Sequence, residues 1–205
     1  MFGGDTMIWD KLSLFYDFFE NVYNGKCYKG IAEKIKEYVT EEDTVLECAC
    51  GTGLLTLPMA QKCKKLIATD YSEGMLRQTK KKVAKYTNTK VGKASILELP
   101  FNDEKFDVVV AANVIHLLDE PALAISELKR VCKPNGKIIL PTYINNEKKN
   151  SIIAAKLLST LGVRFKRQFS LASYKEFIAS HNISCVEYSI VEGNMPCAFA
   201  IITNC

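Results

Sequence analysis

Apolar positions along this chain change their period several times, and each change marks an element. Between residues 6 and 23, Trp9, Leu12, Phe15, Tyr16 and Phe19 recur at helical spacing until Gly25 interrupts the run. Tyr28, Ile31, Ile35 and Val39 predict a second helix over roughly 26–39. From residue 43 onward, short apolar runs alternate with amphipathic ones. Strands are predicted over 43–48, 65–70, 89–94, 106–112 and 137–143, and helices over 54–62 and 73–86. Ser72 is placed to cap the helix at 73. A further helix starts after Asp119-Glu120-Pro121, where proline suits the first helical position, and stops at Lys133-Pro134-Asn135-Gly136. Helices also follow over 147–161 and 173–180. Repeated β–α units require a parallel sheet covered on both faces. The last two apolar runs, 185–191 and 198–203, are joined by Glu192-Gly193-Asn194-Met195-Pro196, which leaves no room for a crossover helix, so they must pair antiparallel. The expected fold is α/β: a doubly wound seven-stranded sheet of five parallel strands and then an antiparallel C-terminal hairpin, with helices on both faces.

Composition narrows the class. At 205 residues the chain fits a single domain, 1–205, with no linker or repeat to divide it. No apolar run approaches the ~18 residues of a membrane span. The start, Met1-Phe2-Gly3-Gly4-Asp5, lacks the basic and apolar regions of a signal peptide, so a cytoplasmic location is expected. The eight cysteines are scattered, mostly in apolar runs and without a C-x-x-C, which points to buried reduced thiols. Cys48 and Cys50 share a face of a strand end, but no histidine or further cysteine lies near them, and no metal site is expected. A net charge of +4 falls short of the basic footprint of a nucleic-acid binder, so no nucleic-acid partner is expected. Lys62, Lys64 and Lys65, and then Lys80, Lys81, Lys82 and Lys85, read as a solvated face or as attraction to an anionic surface. Asp10, Asp17 and Glu20 oppose docking of the first helix on an anionic membrane.

The chemistry begins at Val45-Leu46-Glu47-Cys48-Ala49-Cys50-Gly51-Thr52-Gly53, a strand that ends in a small-residue turn and runs into a helix. Gly51 and Gly53 admit unusual dihedrals and leave no Cβ in the way of a nucleotide-like ligand, and the helix start adds N–H groups. The bland reading is a tight turn. Asp70, at the tip of the second strand, is placed to hydrogen-bond the hydroxyls of a ribose. The turn does not read G-x-G-x-x-G, and no basic residue immediately follows Asp70. An adenosyl ligand without a pyrophosphate fits better than a dinucleotide.

Glu47-x-Ala49-Cys50-Gly51-Thr52-Gly53, Asp70, Leu99-Pro100-Phe101, Phe106-Asp107-Val108-Val109 and Leu128-Lys129-Arg130-Val131-Cys132-Lys133-Pro134-Asn135-Gly136 occur in order. Over roughly residues 10–204 the chain resembles class I S-adenosylmethionine-dependent methyltransferases. It is most similar to the small-molecule branch that includes quinone-biosynthesis C-methyltransferases and phospholipid N-methyltransferases. The resemblance implies a Rossmann-like methyltransferase fold, with residues 1–40 as a helical cover over the cleft. It implies S-adenosylmethionine as cofactor, S-adenosylhomocysteine as product, and a small-molecule or lipid-like acceptor.

The resemblance also implies roles. Glu47 would hold the methionine ammonium, with Ala49, Cys50, Gly51 and Gly53 forming the turn. Ala49 replaces the usual first glycine, which suggests that this position does not need positive φ. Asp70 and Tyr71 lie at the ribose, and Met75 on the adenosine side. Ser95 stands where an aspartate commonly accepts from the adenine amino group, and the Ile96 N–H faces a ring nitrogen. Asn113 lines the methionine end. His116 borders the transfer centre as a candidate general base, or else as a packed core histidine. Tyr143, Tyr16 and Tyr23 are candidates for the substrate pocket, with ring faces suited to a sulfonium. His181 reads as structural. The absence of an (Asn/Asp)-Pro-Pro-(Tyr/Phe) sequence at 112–115 disfavours transfer to amide or adenine nitrogen. Three alternatives stay open: a thiol or arsenite methyltransferase, a non-catalytic adenosyl- or partner-binding protein on the same fold, and a dehydrogenase.

Overall fold

The computed structural model describes residues 9–10, 13, 16–145 and 166–205. Helix α1 spans Tyr16–Glu37, and β1 spans Thr44–Cys48. A short α2, Thr56–Ala60, leads to β2, Lys65–Asp70; α3, Glu73–Val83, leads to β3, Thr89–Lys93. Then come β4, Phe106–Ala111, a 3-10 turn at Ile115–Leu117, α4, Pro121–Val131, and β5, Cys132–Tyr143. Helix α5, Leu171–Ala179, precedes β6, Val186–Val191, and β7, Cys197–Thr203. The helix expected over 147–161 lies outside the described residues.

The strands form one seven-stranded sheet in the order β3-β2-β1-β4-β5-β7-β6. Strands β1 to β5 pair in parallel, and β7 pairs antiparallel with both β5 and β6. The hairpin therefore inserts its second strand between β5 and β6, as the short 192–196 connection requires.

Successive residues of the central strands serve opposite faces. Leu46, Val109, Ala111, Ile138, Leu140 and Ala200 pack under α4 and α5. Val45, Val108, Val110, Ile139, Phe199 and Ile201 pack under α1 and α2. Cys27, Ile31 and Ile35 of α1 and Val39 just after it are all at most 1% exposed, so this face of the segment is core. On the other face, the Tyr174 hydroxyl of α5 donates to the Leu140 carbonyl at 2.6 Å.

Three local expectations change. The break expected at Gly25 falls one residue earlier: α1 is two helical segments joined by a kink at Asn24 (φ −128°, ψ 20°). The Asn24 side chain, 2% exposed, donates to the Met195 carbonyl at 3.0 Å and accepts from the Met195 N–H at 3.2 Å, which satisfies the polar groups that the kink buries. Strand β5 starts at Cys132 rather than 137, with a register shift opposite Phe106–Val108 and a left-handed residue at Asn135 (φ 62°). The stop signal at 133–136 produces an irregularity within a strand because Asn204 reaches across to bond the carbonyls of Lys129, Cys132 and Lys133. Helix α5 starts earlier than expected, at Leu171, because Ser170 and Ser173 form a capping box.

Candidate cofactor and methyl-transfer site

The site lies at the carboxyl ends of β1, β2, β4 and β5, where an open parallel sheet leaves room for a ligand. The turn after β1 is fastened from three sides. Asp70 Oδ2 accepts from the Gly51 N–H at 2.9 Å, while Oδ1 accepts from the Ser72 N–H at 2.9 Å. One carboxylate thus joins the turn to the cap of α3. Thr79, on α3, donates to the Gly51 carbonyl at 2.7 Å, and Lys82 Nζ donates to the Thr52 carbonyl at 2.8 Å. Burial pushes the Asp70 pKa up, against the amides that favour its ionised form. Each carboxylate oxygen keeps acceptor capacity for a further donor such as a ribose hydroxyl.

Ala49 has φ 54°, so the expectation that this position avoids positive φ is wrong. Alanine occupies the left-handed region here at a cost of about 1–2 kcal/mol, and the fastened turn holds it there. Gly51 (φ 56°) and Gly53 (φ 84°) are left-handed too. A Cβ on Gly51 would meet nothing within 4 Å, whereas one on Gly53 would stand 3.0–3.1 Å from Thr79. Gly51 therefore borders open space, and Gly53 is pressed on α3. Helix α2 begins only at Thr56 and is five residues long, so the ligand-facing amides are those of the turn rather than of a helix end.

Glu47 is 2% exposed, and its Oε2 accepts from the Thr56 hydroxyl at 2.5 Å. Burial drives its pKa up to about 8, partly countered by that hydrogen bond and reinforced by Asp70. A buried acid in this state suits a cation that arrives with a ligand.

Ser72 caps α3 as expected, accepting from the Met75 N–H at 3.1 Å. Met75 is 2% exposed and lies under that cap. Asp10 makes an addition that the sequence did not announce: its Oδ1 accepts from Ser72 Oγ at 2.6 Å and from the Gly74 N–H at 2.7 Å. These bonds hold the Asp10 pKa below the ordinary carboxylate value. Tyr71 is exposed, with Lys93 Nζ 5.1 Å from its ring centroid.

After β3, Ser95 Oγ accepts from the Leu97 N–H at 3.2 Å, and Ile96 is buried. Arg130 holds the loop that follows. It forms a two-pronged pair with Glu127 (2.7 and 2.8 Å), bonds the carbonyls of Phe101 and Leu99, and pairs with Asp103 at 2.7 Å; Glu127 in turn accepts from the Leu99 N–H at 2.7 Å. A planar fork with several donors makes this clamp, and an ammonium cannot replace it. Arg130→Lys is expected to lower stability by about 2 kcal/mol, and Arg130→Ala by about 3 kcal/mol, with urea denaturation as the check. Equal midpoints for wild type and Arg130→Lys would dismiss the clamp.

At the β4 end, Asn113 is left-handed (φ 53°), and its N–H donates to the Pro141 carbonyl at 2.8 Å. Its Oδ1 accepts from Cys197 Sγ at 3.8 Å, while its Nδ2 is buried without a hydrogen-bond partner. His116 is 4% exposed, with Nδ1 2.9 Å from Thr142 Oγ1, and burial lowers its pKa to about 4. It is neutral at pH 7 and a poorer proton acceptor than an ordinary histidine. Tyr143 lies 6.3 Å from it, centroid to centroid. Tyr23 is half-buried near the kink of α1, which also carries Tyr16 in its first turn. Sequence reasoning missed Thr56, Thr79, Thr142 and Asp10. Only Thr79 left a trace, at helical spacing from Met75, Leu76 and Val83.

The parts present fit an adenosyl amino acid: open space at Gly51, a buried acid, a carboxylate with acceptor capacity, and an unpaired amide donor. The sheet order is that of a Rossmann-like methyltransferase fold, and residues 46–140 match the family model described as a methyltransferase domain. Among curated proteins, the chain is similar to the demethylmenaquinone methyltransferase of Clavibacter sepedonicus (33% identity over 98 residues, 48% of this chain and 40% of that one). It is also similar to that of Staphylococcus aureus (28% over 137 residues, 64% and 57%), so the match spans about half the length of these relatives. Among solved structures, an S-adenosylmethionine-dependent methyltransferase from Thermotoga maritima superimposes with a TM-score of 0.74 at 19% identity, covering 97% of this chain and 99% of that one. That likeness establishes the fold. Among the described residues, no three potential metal ligands cluster, and no helix is long and apolar enough to cross a membrane.

Proposed function

We propose that this chain transfers a methyl group from S-adenosylmethionine to a small apolar acceptor, with a quinol-type ring as the leading candidate. The cofactor supplies an electrophilic methyl on sulfur, and the chain's residues bind, orient and dehydrate. Glu47 neutralises the amino-acid ammonium, Asp70 takes the ribose hydroxyls, and Asn113 Nδ2 donates to an acceptor atom at the methionine end. Ser95 and Ile96 border the adenine. The observation that carries the reading is Glu47, buried beside the open Gly51 and held in a state that a bound cation would reverse. The names of the curated relatives support the acceptor class, and Tyr143, at the end of β5 and 6.3 Å from His116, is compatible with a ring. His116, neutral and weakly basic, serves as a polar contact at the transfer centre rather than as the group that carries the proton away.

The test is calorimetric titration with S-adenosylmethionine and S-adenosylhomocysteine, followed by methyl incorporation into a demethylated naphthoquinol and into a phospholipid amine. Asp70→Ala is expected to weaken both adenosyl ligands by ~100-fold, about 2.7 kcal/mol, because a charged acceptor is lost. Methylation of the quinol with no His116-dependent limb near pH 6.5 supports the reading. Heat from neither ligand overturns the cofactor assignment, and methylation of the amine alone overturns the acceptor.

A further inference from the structure

Six of the cysteines are buried, and Cys185 and Cys205 are exposed. Cys185 immediately precedes the edge strand β6, and Cys205 follows β7 by two residues. Both are positioned by backbone bonds. The Cys185 carbonyl accepts from the Thr203 N–H at 3.0 Å, one step beyond the Val186–Ile202 pair of the ladder. Asn204, the neighbour of Cys205, is tied on both sides. Its N–H donates to the Gly136 carbonyl at 3.0 Å, its carbonyl accepts from the Asn135 N–H at 2.7 Å, and its side chain bonds the end of α4. The two sulfurs end up 3.0 Å apart, inside ordinary van der Waals contact and about 1 Å beyond a disulfide bond.

The local chemistry distinguishes the two thiols. Cys205 donates to Cys185 and also lies 3.5 Å from the Thr203 carbonyl, while Ser184 Oγ is 3.9 Å from Cys185 Sγ. The hydrogen bond from Cys205, then Ser184 and the charge of Lys137, lowers the Cys185 pKa, and sharing with Cys185 raises that of Cys205. Cys185 is thus the better thiolate, and Cys205 stands within reach to resolve whatever Cys185 captures.

We propose that Cys185 and Cys205 form an accessible dithiol site that small-molecule disulfides oxidise to an intramolecular disulfide. Cys185 thiolate attacks one sulfur of the reagent, forming a mixed disulfide and expelling one thiolate. Cys205, having given up its proton to solvent, attacks Cys185 Sγ and expels the second. The protein loses two hydrogens and two electrons, and one reagent disulfide becomes two thiols. The product fastens the segment after β7 to the edge strand β6, away from the ends of β1, β2, β4 and β5 where the cofactor site lies.

The test uses the full reduced chain, equilibrated with mixtures of glutathione disulfide and glutathione, quenched in acid and mapped by mass spectrometry without reduction. The expected result is a monomer with linked Cys185 and Cys205 peptides and no retained glutathione. Cys205→Ser should instead retain one glutathione on Cys185, and Cys185→Ser should lose the rapid reaction. Oxidation should raise the wild-type melting temperature by several degrees, about what closing a loop of ~20 residues gives, and leave Cys205→Ser unmoved. The proposal is overturned if wild type keeps glutathione on Cys185 without forming the link, if the linkage joins two chains, or if both thiols survive conditions that modify Cys205→Ser. The wild-type map alone decides the matter should a variant fail to fold.

Discussion

Gly51→Ala is expected to abolish measurable binding of adenosyl ligands, at least ~100-fold, while leaving the fold standing. Gly53→Ala is expected to damage both. The two glycines sit two residues apart in one turn, and both are left-handed, so each substitution carries a backbone cost of about 1–2 kcal/mol, partly offset by a less flexible unfolded chain. Their surroundings separate them. A methyl on Gly51 enters space empty to 4 Å, so stability falls by the backbone cost alone, a few degrees in melting temperature for a chain of this length. That space is where a ligand must approach the backbone, so the methyl displaces it. A methyl on Gly53 meets Thr79 at 3.0–3.1 Å, including its Cα, which cannot swing away. Thr79 also holds the Gly51 carbonyl, so relief of the clash loosens the turn. About 3 kcal/mol or more of stability is expected to go. Thermal melts and calorimetry on both variants test this, and a Gly51→Ala protein that binds like wild type would remove Gly51 from the ligand site.

The second large effect is a pH dependence set by Glu47. Its folded pKa, about 8, lies above the ordinary carboxyl value of 4.5, so the folded chain holds a proton that the unfolded chain releases. Stability in the absence of ligand is greatest below pH 4.5 as far as this group is concerned. It declines through the window from 4.5 to 8, by on the order of 4 kcal/mol in total. Glu47→Gln, which needs no proton, should flatten that decline and stand above wild type at pH 8. Ligand binding should run the other way. An ammonium beside Glu47 favours the carboxylate, so binding releases close to one proton at pH 7, and affinity rises toward tenfold per pH unit below 8. Titrations in buffers of different ionisation heat count the proton. No proton release at pH 7, together with an unchanged stability profile in Glu47→Gln, would place the cation elsewhere.

Much of this architecture was legible in the residues. Strand β2 was bounded correctly, and β1, β3, β4, β6 and β7 to within about a residue, because each is a short apolar run between turn signals. The places of Asp70 at the end of β2 and of the glycine turn after β1 were legible because apolar runs end there. What escaped depends on contacts between distant parts of the chain. No local pattern marks Asp10 as a partner of Ser72 and Gly74, or Asn204 as the group that keeps β5 running through a proline and a left-handed asparagine. Ala49 misled for a related reason. Alanine argues locally against positive φ, and only the surrounding bonds to Gly51 and Thr52 show what holds the turn in that shape. His116 illustrates a limit of chemistry read from residue type alone: its neighbours bury it and take away most of its basicity.

The grip of Asn24 on Met195 has a bearing on how the chain is made. The apolar stripe of α1 rests in part on Phe199 and Ile201 of β7, and its kink is satisfied by the turn before that strand. As the chain leaves the ribosome, α1 can settle on β1, α2 and β4 early, but its kink waits for residues 195–201 to follow. Until then, water must take the place of Met195 at the Asn24 side chain. Closure of the sheet by β7 is then the event that fixes the kink of α1 and the β6–β7 hairpin together.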